Sequence, residues 1–278
     1  MTAESRYFDA NGLRLHYLDY GNPAMPPLVC IHGLSGNAHN YDGLAPHLRD
    51  AYHVMSVDVR GRGDSAWGPA GEYLPPTYVS DLAAMLDALK IDRVTLIGTS
   101  MGGIISMIFA GGYPARVARL VLNDIGPEVN PAGLKRITDY FTASPADFAD
   151  LAAVAAYYRA NYPFLAHTPE PDLIEFVRWA VKPGDGGRLI WKIDPAVRNI
   201  PRSGTAARPM DLWVPFARIE AKVLIVRGGE SDILAGDTAQ RMCRVLPGTR
   251  LVEIAGVGHA PTLTEPASIA AISEFLAR

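Results

Sequence analysis

Residues 94–110 read VTLIGTSMGGIISMIFA, and this stretch decides the fold. Val94–Ile97 is a short apolar run of the kind that forms a strand covered on both faces. Met101–Ala110 continues as a helix. Between them, Gly98-Thr99-Ser100-Met101-Gly102 must turn the chain sharply within a few residues. Glycines flanking Ser100 let strand and helix approach without a Cβ clash. A serine raised on such a strand-to-helix turn is placed as a nucleophile needs to be, so Ser100 is the candidate nucleophile.

Working outward, the same strand–helix grammar repeats. Upstream lie an alternating segment Leu13–Tyr20, preceded by an Asn11-Gly12 hairpin turn from Arg6–Asp9, and the apolar run Leu28–Ile31. A strand His53–Val57 ends in the turn-rich loop Asp58-Val59-Arg60-Gly61-Arg62-Gly63. Tyr78, Leu82, Met85 and Leu89 then follow helical spacing. Downstream, Leu120–Leu122 is a further strand. From about Pro127 to Arg218 strand signals vanish, and helical stretches rich in aromatics are separated by Pro and Gly. Alternation resumes with Val223–Arg227, Thr238–Leu246, Arg250–Ile254 and Ile269–Leu276. The pattern predicts an α/β fold: a mostly parallel, twisted sheet flanked by helices, with an inserted helical cap. The core is expected at 1–125 and 219–278, and the cap at 126–218.

A serine hydroxyl needs a base to remove its proton and a carboxylate to hold that base. Of seven histidines, His259 in Gly256-Val257-Gly258-His259-Ala260-Pro261 is the candidate base, because it follows the last strand in a glycine-flanked loop. His16, His39, His47, His53 and His167 are read as structural or solvated. Asp232, in Gly228-Gly229-Glu230-Ser231-Asp232, is the preferred acid because it follows a strand and preserves the chain order serine, acid, histidine. Asp124, just after Leu120–Leu122, is its rival. Asp237 is read as capping the helix at Thr238. The loop His32-Gly33-Leu34-Ser35-Gly36 follows a strand, and the backbone N–H groups of Leu34 and Met101 are the expected oxyanion donors, with His32 a shaping residue.

The motifs HGLSG, DVRGRGDS, GTSMGG, RGGESD and GVGHAP, in that order, make the chain resemble the α/β-hydrolase superfamily, and most of all its capped esterase, lactonase and carbon–carbon hydrolase branch. The resemblance covers the expected core and implies a nucleophile, acid and base at Ser100, Asp232 and His259. Two departures matter. Thr99 stands where many relatives carry His, Asn or Gln. Serine rather than aspartate at position 100 disfavours the alkyl-enzyme chemistry of dehalogenases and epoxide hydrolases. DVRGRGDS is read as a structural loop.

The 278 residues carry 49% hydrophobic and 20% charged side chains with a net charge of -3. That balance argues against a nucleic-acid partner, which would need a basic face. Cys30 and Cys243 are expected as reduced thiols, and the N-terminal residues lack a signal-peptide core. The expected protein is cytoplasmic, has no membrane span and acts on a small-molecule substrate. It needs neither metal nor organic cofactor, since ligand spacing and a phosphate loop are missing. The leading expectation is a carboxylic esterase. Lactone or dioxo-acid carbon–carbon hydrolysis is the alternative, with Arg136, Arg159 or Arg178 available to hold an acid. A non-enzymatic ligand receptor is the reading from another class.

Overall fold

A computed structural model describes residues 3–166, 168–198 and 210–277; His167 lies outside them. Strands β1 (Glu4–Ala10) and β2 (Leu13–Asp19) form the antiparallel hairpin read from Asn11-Gly12. Both turn residues have positive φ, 50° and 79°, as a two-residue hairpin loop requires. Strands β3 (Pro27–Ile31), β4 (His53–Val57), β5 (Val94–Thr99) and β6 (Val117–Asn123) follow. Helices α1 (Ala45–Leu48), α2 (Pro75–Ala88) and α3 (Met101–Gly112) lie between them.

Three short strands come next: β7 (Asp147–Phe148), β8 (Val181–Pro183) and β9 (Leu189–Trp191). They share their segment with α4 (Pro131–Thr142), α5 (Leu151–Asn161), α6 (Glu170–Val177), α7 (Pro195–Arg198) and α8 (Trp213–Phe216). The core closes with β10 (Lys222–Gly228), α9 (Gly236–Val245), β11 (Arg250–Ile254) and α10 (Pro266–Ala277).

The large sheet has the order β1-β2-β4-β3-β5-β6-β10-β11, and every pairing from β4 to β11 is parallel. Its inner strands are buried on both faces. Val29 and Ile31 join one apolar cluster, while Leu28 and Cys30 join the other, the alternation expected of a strand's period of two. From β3 the chain steps outward to β4, then returns to β5 on β3's other side. The carboxyl ends of β3 and β5 therefore meet at a topological switch point, where ligands bind in open α/β sheets.

Among its described residues, the segment between β6 and β10 holds the five helices α4–α8 and the three short strands β7–β9. Asn130 and Asp150 cap α4 and α5 with side-chain oxygens on Ala132 and Ala153 N–H groups. The small sheet β7-β9-β8 departs from the sequence reading. Its strands span two or three residues, too few to display a period, and its hairpin is carried by Gly186 and Gly187 at positive φ. Asp237 also departs from expectation: Ala235 is the N-cap of α9, and Asp237 sits within the first turn. Both cysteines are free thiols. Among the described residues no helix is long and apolar enough to cross a membrane.

Candidate active site

Ser100 sits between β5 and α3 at φ 51° and ψ −115°, a conformation that costs energy for any residue with a side chain. The turn is held by Ser100 N–H donating to the Asn123 carbonyl at 3.0 Å and by Ile104 N–H donating to the Ser100 carbonyl at 3.1 Å. Its glycines are required by space. A Cβ on Gly98 would lie 2.4 Å from the Gly102 carbonyl oxygen, and one on Gly102 would lie 2.0 Å from the Ile31 oxygen. Backbone atoms cannot yield there as a flexible side chain could.

The loop after β11 brings His259 back over the sheet. Its Nε2 is 3.0 Å from Ser100 Oγ, and its Nδ1 is 2.7 Å from Asp124 Oδ2. The acid on His259 is thus Asp124, which corrects the preference for Asp232. Asp124 lies immediately beyond β6, fully buried and at φ 53°. Gly228 N–H (2.9 Å) and Ser231 Oγ (2.6 Å) donate to its two oxygens, so together with His259 three hydrogen bonds fix its carboxyl in place. Asp232 instead accepts two bonds from Arg136 of α4, at 2.6 and 2.8 Å, and is about 40% exposed. The Arg136 guanidinium holds its carboxyl below the usual carboxylate range. Because β6 and β10 are neighbours, the end of either strand can approach the loop after β11. The order serine, acid, histidine fits both candidates and could not separate them.

Three further residues frame the site. Asn123 Nδ2 donates to Thr99 Oγ1 at 3.0 Å and to the Pro261 carbonyl at 2.9 Å, tying the serine turn to the histidine loop. Tyr41 donates to the Ile31 carbonyl, so Thr99 Oγ1, 2.9 Å away, donates to the Tyr41 oxygen. Thr99 at the end of β5 thereby links Tyr41, in the turn after β3, to Asn123 of β6. Arg62, 1% exposed, spans two elements: its Nε donates to the Leu34 carbonyl at 3.3 Å, and its Nη2 lies 3.6 Å from Met101 Sδ. No local pattern in the sequence couples Arg62 or Asn123 to Ser100, because both act across strands.

His32 has the shaping position expected of it. Its Nδ1–H donates to the Gly33 carbonyl at 2.6 Å, and its Nε2 accepts from Val59 N–H at 3.0 Å. Both ring nitrogens are committed in the neutral form, and burial lowers its pKa to about 4. In the DVRGRGDS loop, Arg60 makes paired bonds of 2.5 and 2.6 Å to Asp81. Asp58 accepts from Ala38 N–H (2.6 Å), Asp64 N–H (2.9 Å) and His16 Nδ1 (2.7 Å). Burial alone would raise the Asp58 pKa, but those bonds and nearby charge bring it below the ordinary value. His16 Nε2 in turn meets Ser5 Oγ at 2.8 Å. This second serine–histidine–aspartate chain lies at the hairpin edge of the sheet.

Ser100, Met101, Leu34 and His259 line one cavity of about 300 Å³. Its walls are largely apolar: Ile104 and Ile125 come from the core side, while Val129, Ile137, Phe164 and Phe176 come from the segment after β6. No Lys, Arg, Asp or Glu is among the described residues lining it. Arg136 is held by Asp232. Arg159 donates to the carbonyls of Ala166 and Thr168 and to Glu170, and Arg178 pairs with Glu175. Tyr162 of the same segment donates to Ser35 Oγ at 3.0 Å, joining it to the loop after β3.

The comparisons agree with this architecture. The model described as "alpha/beta hydrolase fold" matches residues 26–266. The chain is 38% identical to a 3-hydroxybutyrate-oligomer hydrolase of Cupriavidus necator, over 94% of this chain and 92% of the relative. It is 27% identical to a 2-(acetamidomethylene)succinate hydrolase of Mesorhizobium japonicum, covering 98% and 95%. A crystal structure of an alpha/beta hydrolase from Novosphingobium aromaticivorans superimposes with a TM-score of 0.90 at 36% identity, covering 99% of this chain and 98% of that one.

Proposed function

The chain belongs to the α/β-hydrolase fold family, and on that premise we propose that it hydrolyses carboxylic esters through an acyl-enzyme on Ser100. The observation that carries this reading is the unbroken chain Ser100–His259–Asp124 opening onto the cavity. Nδ1–H of His259 donates to Asp124, leaving the Nε2 lone pair to take the Ser100 proton as Oγ attacks the ester carbonyl. The tetrahedral intermediate collapses, the C–O bond breaks, and the imidazolium gives its proton to the departing alkoxide. Water, deprotonated by His259, then attacks the acyl-enzyme and releases the carboxylic acid and the free serine.

The oxyanion is assigned to the N–H groups of Met101 and Leu34. Met101 opens α3, where backbone N–H groups have no intrahelical acceptor and the helix dipole favours negative charge. Gly33 packs its backbone against Ser100: a Cβ there would lie 3.5 Å from Ser100 Cβ, in ordinary contact. Residues 126–218 are read as the cap, since their side chains supply much of the cavity wall and Tyr162 reaches the oxyanion loop.

The substrate class follows from the walls. Among the described residues lining the cavity none carries a cationic side chain to compensate a buried carboxylate, so a neutral, partly apolar ester fits better than a dioxo acid. The relative from Cupriavidus necator is named for an oligoester, which is compatible with a small to medium chain. Turnover of p-nitrophenyl acetate, butyrate and octanoate tests the reading, with Ser100→Ala expected to abolish it. A folded protein that cleaves none of them and does not react with a fluorophosphonate would point to the receptor alternative.

A further inference from the structure

Twelve of the described residues lining the cavity carry a polar side-chain atom, and several of these atoms are already engaged. Asn37 Oδ1 caps the turn at His39 N–H, and Tyr41 and Thr99 bond to each other. The Tyr162 hydroxyl is spent on Ser35. Among the described residues, the side-chain amide nitrogens of Asn37 and Asn40 are free on the core side, and the hydroxyl of Tyr158 of α5 is free on the facing segment. Tyr158 is 4% exposed and lines the cavity. Its ring stacks on Tyr162 at 4.5 Å and meets Phe176 edge-on at 6.1 Å. Its hydroxyl makes no hydrogen bond among the described residues. Nor is that oxygen among the polar atoms sealed without a partner, which are Arg119 Nε, Asn123 Oδ1, Thr249 Oγ1 and Arg250 Nη1. The small area that Tyr158 exposes therefore includes the hydroxyl, and the cavity is the space that this side chain lines.

A neighbouring phenylalanine would fill the same stack without a polar atom. A hydroxyl kept unpaired in an apolar wall is costly unless something in the cavity bonds to it. Burial also pushes the Tyr158 pKa up, so the group remains a donor throughout the working pH range. The scissile carbonyl has its own partners in the proposed reading, so Tyr158 is available to a different oxygen.

We infer that the cavity is built for an ester whose chain carries a second, uncharged oxygen, hydroxyl, ether or ester, and that Tyr158 is the specificity-determining residue that bonds it. This rests on Ser100 being an esterase nucleophile. Matched isosteric esters test it: p-nitrophenyl 3-hydroxybutyrate against p-nitrophenyl 3-methylbutyrate for the acyl side, and 2-methoxyethyl butyrate against butyl butyrate for the alcohol side. Rates are normalised to hydroxide-catalysed hydrolysis.

The wild-type protein is expected to favour the oxygenated member of at least one pair by about tenfold in kcat/KM, the scale of one neutral hydrogen bond. Tyr158→Phe should bring that ratio close to one, with a melting temperature no lower than wild type. Ratios at or below one in both pairs for the wild type, or a preference that survives Tyr158→Phe, would overturn the inference. Turnover of none of the four esters would instead overturn the esterase reading beneath it.

Discussion

Two hydrogen-bonded serine–histidine–aspartate chains run through the described residues with nearly the same dimensions. Ser100–His259–Asp124 measures 3.0 and 2.7 Å, and Ser5–His16–Asp58 measures 2.8 and 2.7 Å. In both, the aspartate is buried and accepts further bonds. The surroundings differ. Ser100 stands on a positive-φ turn at a helix N-terminus and lines a cavity, whereas Ser5 lies exposed on β1, at the edge of the sheet, away from that cavity. A relay moves a proton, but acyl transfer also needs a bound carbonyl and donors aimed at its developing charge. The contrast teaches that bond geometry alone does not identify an active site.

The largest expected effect separates the two serines directly. Ser100→Ala should lower kcat by at least about 10⁴-fold, while Ser5→Ala leaves turnover unchanged. A fluorophosphonate followed by peptide mapping should mark Ser100; modification at Ser5 of the Ser100→Ala protein would break the comparison. The carboxylates come next. Asp124→Asn should cost about 10⁴-fold in kcat, and Asp232→Asn less than about tenfold. The reverse ranking would return the acid's role to Asp232. Asp58→Asn should act on the fold, lowering unfolding free energy by about 3 kcal/mol while the folded fraction keeps its kcat.

A third histidine sharpens the contrast through pH. His32 is held neutral, with a pKa of about 4 against an ordinary value near 6.5. As pH falls, the unfolded chain takes the proton first. Its contribution is therefore complete above about pH 6.5 and declines toward pH 4, by about 3 kcal/mol in all. Denaturant titrations of wild type and His32→Gln at several pH values should show the stability difference shrinking by that amount as pH drops. A constant difference would show that His32 is not the titrating group. The smallest effect is expected at Tyr162→Phe, which removes the bond to Ser35. A loss of about threefold in kcat, with little change in melting temperature, would be consistent with a brace on the loop after β3.

Much of this was legible in the chain. The β5–α3 turn announces itself because strand, glycines and helix are contiguous, and His259 because a glycine-flanked loop follows the last strand. Position 232 misled because two adjacent strand ends can both offer a carboxylate, and choosing between them depends on side-chain partners. Asp232 is claimed by Arg136, almost a hundred residues earlier; Asp124 is claimed by Ser231, the residue before its rival. The short strands β7–β9 escaped for a different reason, since two or three residues cannot show periodicity. Arg62, Asn123 and Tyr158 are legible only once the strands and the segment after β6 are packed together.

The crowding at Gly98 and Gly102 has a consequence for how this site can change. Neither position admits a single added methyl without backbone moving, while the side chain at 100 projects into open cavity. Drift and directed evolution therefore meet a rigid socket around an exchangeable tool. Libraries that vary position 100 and the cavity walls from the segment after β6 explore new chemistry on an intact frame, and those that touch the two glycines mostly sample misfolded chains.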